Sequence, residues 1–475
     1  MKRVMAETKA GTIGELRASG YKVRRVKEEM RKNLIEKMRK DEELFPGIIG
    51  YENTVVPQLE NAVLSGQDII LLGERGQAKS RLIRSLANLL DEEVPAIAGC
   101  EINDNPFGPI CRACIDKVDT MGDDVEIHWI GRDRRYGEKL ATPDITIADL
   151  IGEVDPIKVA EGRYLSDELT IHYGLIPRTN RGIFCINELP DLVERIQVGL
   201  LNILEERDVQ IRGYLVRMPL DIFVVASANP EDYTNRGRII TPLKDRCGSE
   251  IRTHYPKTSE TEIAIMEQER STFADEDIKL SVPEYMKEII AELTALARRS
   301  PDVNQRSGVS VRVSITNYEN LISNAVRRSI KLGEEYASPR ISDLPYILAS
   351  TGGKVELESM DDGREEQIIE KLIQSAVINV FNKHFNVQHF DDLVGQFERG
   401  VSFEVSEMMP IDEYMSILGK SESLAGAVRK LSVDENPATV ASAVELVLEG
   451  LHLNRKLNKD KVAGKAQYRG HHAFL

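Results

Sequence analysis

The stretch LLGERGQAKSRLIRSL, Leu71–Leu86, decides how this chain folds. An apolar run, Ile69–Leu72, leads into it and predicts a buried parallel strand. From Arg81 to Leu90 the apolar residues recur at helical spacing. Between the two lies Gly73-Glu74-Arg75-Gly76-Gln77-Ala78-Lys79-Ser80, the strand, glycine loop, Lys-Ser, helix order of a phosphate-binding loop. Backbone N–H groups of such a loop and of the helix start offer donors to a polyphosphate. The candidate contacts are therefore Gly73, Glu74, Arg75, Gly76, Gln77, Ala78, Lys79, Ser80 and Arg81. Lys79 is expected on the outer phosphates and the Ser80 hydroxyl on a magnesium ion. Ala78 departs from the pattern, standing where a glycine usually precedes the lysine. Its methyl group is accommodated if φ stays negative.

Two further apolar runs end in polar side chains. Gly182–Ile186 leads to Asn187-Glu188, and Ile222–Ala228 leads to Asn229-Pro230. In open α/β sheets, ligands bind at the carboxyl ends of strands. Glu188 can there orient or polarise a water against a γ-phosphate, while Asn187 can hold the magnesium shell through an amide oxygen that adds no charge. The bland alternative is that these residues cap a helix expected over 191–206. Gly and Pro breaks within 147–181 predict short strands, and 209–217 reads as a β-hairpin.

A length of 475 residues fits about three domains. Hydrophobic residues at 41% and charged residues at 29% give a globular balance. The net charge of −15 argues against a nucleic-acid coat. Both ends are nonetheless basic: residues 1–46 hold 13 basic against 8 acidic side chains. The N-terminus has no apolar signal core, and no run approaches the roughly 20 apolar residues of a membrane span. With an odd number of cysteines, five, the chain fits a reducing compartment, and the expected location is the cytoplasm.

Residues 24–40 place Val26, Met30, Leu34, Ile35 and Met38 near one helical face, to pack on the core or on a neighbouring subunit. Pro46-Gly47 stops that helix, and another is expected over 53–65. Val94–Ala98 reads as a second strand. Beyond it, Cys100, Cys111 and Cys114, with His128 nearby, are candidate zinc ligands, a CxxC pair with a third thiol. Unligated thiols in a loop insertion are the alternative.

Taken in order, these pieces resemble the AAA+ ATPases, and within them the ATPase (I) subunit of magnesium chelatase and the MoxR-type ATPases, over about residues 45–330. The resemblance implies an α/β P-loop core, a parallel sheet flanked by helices, with β-hairpin insertions, a helical lid and a C-terminal helical region. It divides the chain into a basic helical leader (1–44), a nucleotide-binding domain (45–257), a lid (258–350) and the C-terminal region (351–475). It implies ATP and magnesium as cofactors. Glu188 takes the position of the catalytic glutamate, Asn187 that of the metal-binding aspartate, and Asn229 that of the sensor asparagine. Arg246, within Leu243–Gly248, corresponds to the finger offered to a neighbouring subunit, with Lys244 and Cys247 departing from the family pattern. Arg312 corresponds to the lid arginine. Residues 151–181 resemble the family's helix-2 insert and 207–220 its pre-sensor hairpin. An arginine supplied in trans implies a ring, expected to be a homo-hexamer.

The expected function is an ATP-driven motor that remodels or assembles a partner protein, its client not named by the sequence. Two alternatives stand beside it: the ATPase subunit of a true magnesium chelatase, and a slow-turnover nucleotide-gated scaffold motivated by Ala78 and Asn187. The loop signature of enhancer-dependent transcription activators is absent.

Overall fold

Five short strands lie side by side, all parallel: β1 (Ile69–Leu72), β2 (Tyr136–Leu140), β3 (Gly182–Asn187), β4 (Ile222–Ala228) and β5 (Ser249–Arg252), in the order β5-β1-β4-β3-β2. β1, β3 and β4 are buried along their whole length, which is why each is a near-continuous apolar run. β2 is the edge strand. Its sequence, YGEKL, is half-buried and carries no apolar run, so periodicity does not reveal it. The structure is a computed structural model, and it describes residues 9–155, 157, 168–205, 209–211, 214–216, 218–230, 237–272, 278–358, 364–431, 436–462 and 465–471. The chain divides into two units, Met1–His254 and Tyr255–Leu475.

Helices sandwich the sheet of the first unit. On one face, the helices Val26–Arg39, Val55–Leu64 and Lys79–Ser85 share a core with β1, β3, β4 and β5. The second half of the expected 81–90 helix tightens into a 3-10 turn at Leu86–Leu89. Val26, Met30 and Leu34 are buried, whereas Met38 is exposed, so the leader helix packs on its own chain over its first three turns and leaves its last turn to solvent. A bidentate pair holds it there. The guanidinium of Arg135 meets the Glu29 carboxylate at 2.7 and 2.6 Å, both side chains buried. Arg135 also donates to the carbonyl of Arg181, and Glu29 accepts from the backbone of Asp91. The opposite face of the sheet packs against the Glu194–Glu205 helix, and a short N-terminal helix, Ile13–Ala18, joins the same core beside the Ile127–Gly131 strand, with Ile13 N–H bonding the Val125 carbonyl at 3.0 Å.

Three two-stranded ribbons surround this core. Glu93–Ile97 pairs antiparallel with Ile127–Gly131, so the strand expected at Val94–Ala98 exists but stands outside the parallel sheet. Gly152–Val154 pairs with Ile171–Tyr173, and Val209–Ile211 with Tyr214–Val216. Gly162, Arg163, Tyr164, Asn235 and Arg236 lie outside the described residues.

The second unit is built on the helices Ser259–Glu269, Glu284–Ala297, Val311–Leu332, Arg364–His384 and Pro437–Leu453. The last of these is buried on nearly every side, the reason its apolar residues show no single stripe. The region expected to be helical throughout also carries a three-stranded antiparallel sheet, Phe403–Val405, Lys465–Arg469 and Asn458–Val462. The consecutive charges Lys459-Asp460-Lys461 in one outer strand, and the three-residue length of the other, hide it from apolar periodicity. No helix among the described residues is long and apolar enough to cross a membrane.

Candidate functional site

The register of the sheet assembles the site. Leu72 on β1 lies opposite Ala228 on β4, and Ile186 on β3 lies opposite Ala226. The residues that follow, Gly73, Asn187-Glu188 and Asn229, therefore emerge together at the carboxyl edge. Gly73 bonds back to Ala228 at 3.1 Å, and it must be glycine: a Cβ would sit 1.8 Å from Thr253 Oγ1 and 2.3 Å from Gln77 Oε1. Those two side chains bond to each other at 2.6 Å, and the same Gln77 oxygen accepts from the Glu74 backbone at 3.1 Å. Tyr51 supports the loop from beneath, its hydroxyl shared between the carbonyls of Gln77 (2.9 Å) and His254 (2.8 Å). Burial pushes this phenol up to about 12, so it stays a donor at neutral pH.

Ala78 has φ +54° and ψ +18°. The negative φ that would accommodate its methyl group without strain is not what the structure has. The turn into the helix demands a left-handed residue, and an L side chain there costs about 1–2 kcal/mol.

Lys79 is buried, and its ammonium donates to the carbonyls of Gly73 and Glu74 (2.9 Å for the latter) and to Asn229 Oδ1 at 2.6 Å. The other end of the Asn229 amide donates to Glu188 Oε2 at 2.7 Å. One amide thus links the loop lysine to the carboxylate. Glu188 itself has φ +55°, held by a bond from its backbone N–H to Ser227 Oγ at 3.1 Å. A left-handed glutamate at a strand end is a stored strain of order 1–3 kcal/mol, maintained by its surroundings.

Asn187 is oriented by both neighbours. Its amide nitrogen donates to Glu138 on β2, and its oxygen accepts from Ser227 Oγ at 3.2 Å. Glu138 also binds Arg84 of the loop helix at 2.9 and 3.0 Å, and that guanidinium holds its carboxyl below the usual glutamate range. A carboxylate therefore stands beside the asparagine, contributed by the edge strand. Sequence reasoning missed Glu138, Ser227, Thr253 and Tyr51. Ser227 lay inside a recognised strand, and Tyr51 closes the Ile48-Ile49-Gly50-Tyr51 segment that follows the Pro46-Gly47 stop and marks the entrance to the domain.

The remaining expected residues belong to other elements. Arg246 ends the Thr241–Arg246 helix, 3.6 Å from the Asp245 carboxylate. Arg312 belongs to the second unit, exposed in the first turn of the Val311–Leu332 helix, which is capped by the Ser310 hydroxyl. Cys100, Cys111 and Cys114 do come together, but their fourth neighbour is Asp104. His128, expected nearby, sits opposite Ala96 in the outer ribbon and is not part of the group.

No protein-family model matches this chain. It is 25% identical over 386 residues to a magnesium-chelatase subunit ChlI of Nostoc, spanning 73% of this chain and 91% of that protein. It is 27% identical over 254 residues to the magnesium-chelatase 38 kDa subunit of Rhodobacter capsulatus, covering 51% of this chain and 64% of that one. Among solved structures, the complex between subunits BchI and BchD of magnesium chelatase aligns with 70% of this chain and 94% of the compared chain. There the identity is 20% and the TM-score 0.36.

Proposed function

We propose that this chain, an AAA+ ATPase of the magnesium chelatase I type, binds ATP with magnesium and hydrolyses it to remodel or assemble a partner protein. The single observation that carries the catalytic part is the Lys79–Asn229–Glu188 chain of hydrogen bonds at the carboxyl edge of the sheet. Phosphoryl transfer is catalysed by positioning and charge neutralisation rather than covalent chemistry. The N–H groups of residues 73–81 would cradle the phosphates, with Lys79 neutralising their charge. A magnesium ion would be held by the Ser80 hydroxyl, with Asn187 and Glu188 in its hydration shell, and would neutralise the developing charge. Glu188 would polarise the attacking water, which Asn229 helps to fix.

Arg246 is proposed to act on the nucleotide of an adjacent copy in a ring, most simply a homo-hexamer, and Arg312 on the γ-phosphate. In this reading the nucleotide-binding domain is 45–257 and the lid 258–350.

The test is steady-state ATP hydrolysis against protein concentration with magnesium present. Activity should rise more steeply than linearly. Glu188→Gln should lower it by at least about 100-fold while nucleotide still binds. Mixing Arg246→Ala with Glu188→Gln protein should restore part of the activity if sites are shared between copies. Mixed rings without recovery count against the trans arginine.

A slow-turnover scaffold is the second reading. It is favoured by Asn187, whose amide is already committed to Glu138 and Ser227. Tight ATP binding with no turnover at any protein concentration would select it. A role in metal chelation would be indicated by co-purification with the other subunits of a chelatase.

A further inference from the structure

The loop between the Glu93–Ile97 strand and the Arg112–Met121 helix gathers three thiols and a carboxylate whose ligand atoms all lie within 4.8 Å of one another: Cys100, Asp104, Cys111 and Cys114. Cys111, Cys114 and Asp104 are buried, Asp104 completely. Cys111 is the N-cap of the helix and Cys114 lies in its first turn, so the CxxC spacing aims both sulfurs the same way. Asn103 turns left-handed, with φ +56°, and brings Asp104 back over the thiols.

Two features set this group apart from a chance cluster. The first is the polarity of its hydrogen bonds. Cys100 Sγ accepts from the backbone N–H groups of Ile102 and Asp104, both at 3.4 Å, an arrangement that stabilises a thiolate rather than a thiol. The second is an orphan. Asp104 Oδ2 accepts from the backbone of Ile110 (3.2 Å) and Cys111 (2.9 Å), but Oδ1, equally buried, has no hydrogen-bond partner. A buried carboxylate oxygen without a partner costs on the order of 1–3 kcal/mol, and a cation between the four groups would remove that cost.

We propose that Cys100, Asp104, Cys111 and Cys114 form a structural zinc site. Four protein ligands leave no open position, the mark of a structural rather than a catalytic centre. Three thiolates select a soft borderline cation over magnesium or calcium. Zn–S bonds of about 2.3 Å place tetrahedral sulfurs about 3.8 Å apart, so a set no wider than 4.8 Å closes onto the ion with movements of about 1 Å. The loop that carries the ligands is anchored to the sheet. Asn180 donates to the carbonyl of Ile102 at 3.1 Å and accepts from the backbone of Asp221 at 2.9 Å, tying the loop to the segments that enter β3 and β4. The site is separate from the nucleotide cradle and does not depend on its reading.

The test uses the full chain, produced in zinc-replete medium and assayed for metal by mass spectrometry. One zinc per chain is expected. It should be retained in Cys185→Ser and Cys247→Ser, and lost in Cys111→Ser and Cys114→Ser. Because the last two variants can also misfold, the chelator-stripped parent is titrated with cobalt(II) while its circular dichroism is followed. Intense visible bands of a tetrahedral site and a near-ultraviolet thiolate band should appear at one equivalent. Asp104→Asn should weaken cobalt binding by at least tenfold, and Asp104→Cys should keep it with a stronger thiolate band. A folded parent that carries no zinc and gives no thiolate band overturns the proposal. So does a count of three free thiols, against five expected, in the metal-free unreduced chain, because that result assigns two of the cysteines to a disulfide.

Discussion

The phosphate cradle and the cysteine cluster are both gatherings of polar groups within the first unit, and they are satisfied in opposite ways. The cradle draws on residues as far apart as Lys79 and Asn229, and the contacts described there close on themselves: lysine to carbonyls, lysine to amide, amide to carboxylate. The cluster is local, spanning Cys100 to Cys114, and it leaves Asp104 Oδ1 without a partner. A site meant to load and unload must be tolerable in both conditions, so its donors have protein acceptors to return to. A site meant to keep its occupant can leave the protein unsatisfied, because the bound ion completes it. The contrast predicts that changes in the cradle move ligand affinity and rate, whereas changes in its frame move stability.

The largest effect is expected in the frame. Glu29→Ala leaves the buried Arg135 guanidinium uncompensated and should cost about 3–5 kcal/mol in urea unfolding. The nucleotide affinity of the folded fraction should stay within about twofold of the parent. A large affinity loss would break the separation.

Next is Lys79→Ala. Losing a charged donor to phosphate removes about 2–3 kcal/mol of binding, or roughly 100-fold in affinity. Fluorescent-nucleotide titration measures it, and the melting temperature should barely move. A protein that unfolds instead would place Lys79 in the frame.

Asn187→Asp sharpens the comparison inside the cradle. Leu140 is the register partner of Asn187, and Glu138 lies two residues before it on the same strand. The new carboxylate would confront that of Glu138 and cost up to about 1 kcal/mol. Adding Glu138→Gln should return the loss, a double-mutant cycle that needs only denaturation data.

Ala78→Gly should gain about 0.5 kcal/mol, since about 1–2 kcal/mol of left-handed strain is relieved and about 0.5–1 kcal/mol of glycine entropy is added. A loss of stability would contradict the positive φ.

The smallest effect depends on pH. Arg84 depresses the Glu138 carboxyl, so the pair's stabilisation is fully present above the ordinary glutamate value of about 4.3 and disappears as pH falls through the lower folded value. Arg84 is mostly exposed, which limits the contribution to a few tenths of a kcal/mol. Arg84→Ala should therefore lower the melting temperature slightly at pH 6, and the difference from the parent should shrink progressively as pH falls below the ordinary glutamate value of about 4.3.

What the sequence disclosed follows the same division. The cradle was legible because its strands are buried on both faces, and buried strands write themselves as apolar runs ending in polar residues. Edge strand β2 has no such run, so Glu138 went unseen although it touches Asn187 directly. The thiols announced themselves by type and spacing. Asp104 did not, because an acid in an aperiodic loop looks like any solvated residue until a left-handed turn folds it inward. His128 was drawn in by proximity in sequence, and the ribbon pairing carries it elsewhere. The sign of φ at Ala78 was beyond reach, since it is set by the path from strand to helix and not by the residue.

The Tyr51 hydroxyl spans two carbonyls with different fates. Gln77 lies in the phosphate loop, whereas His254 is the last residue before the chain leaves the first unit. Thr54, three residues further along, bonds the His254 ring at 2.8 Å. In mechanical terms, the loop and the root of the outgoing chain are fastened to one bracket. Any displacement of the Gln77 carbonyl is felt at that root through a single shared hydroxyl.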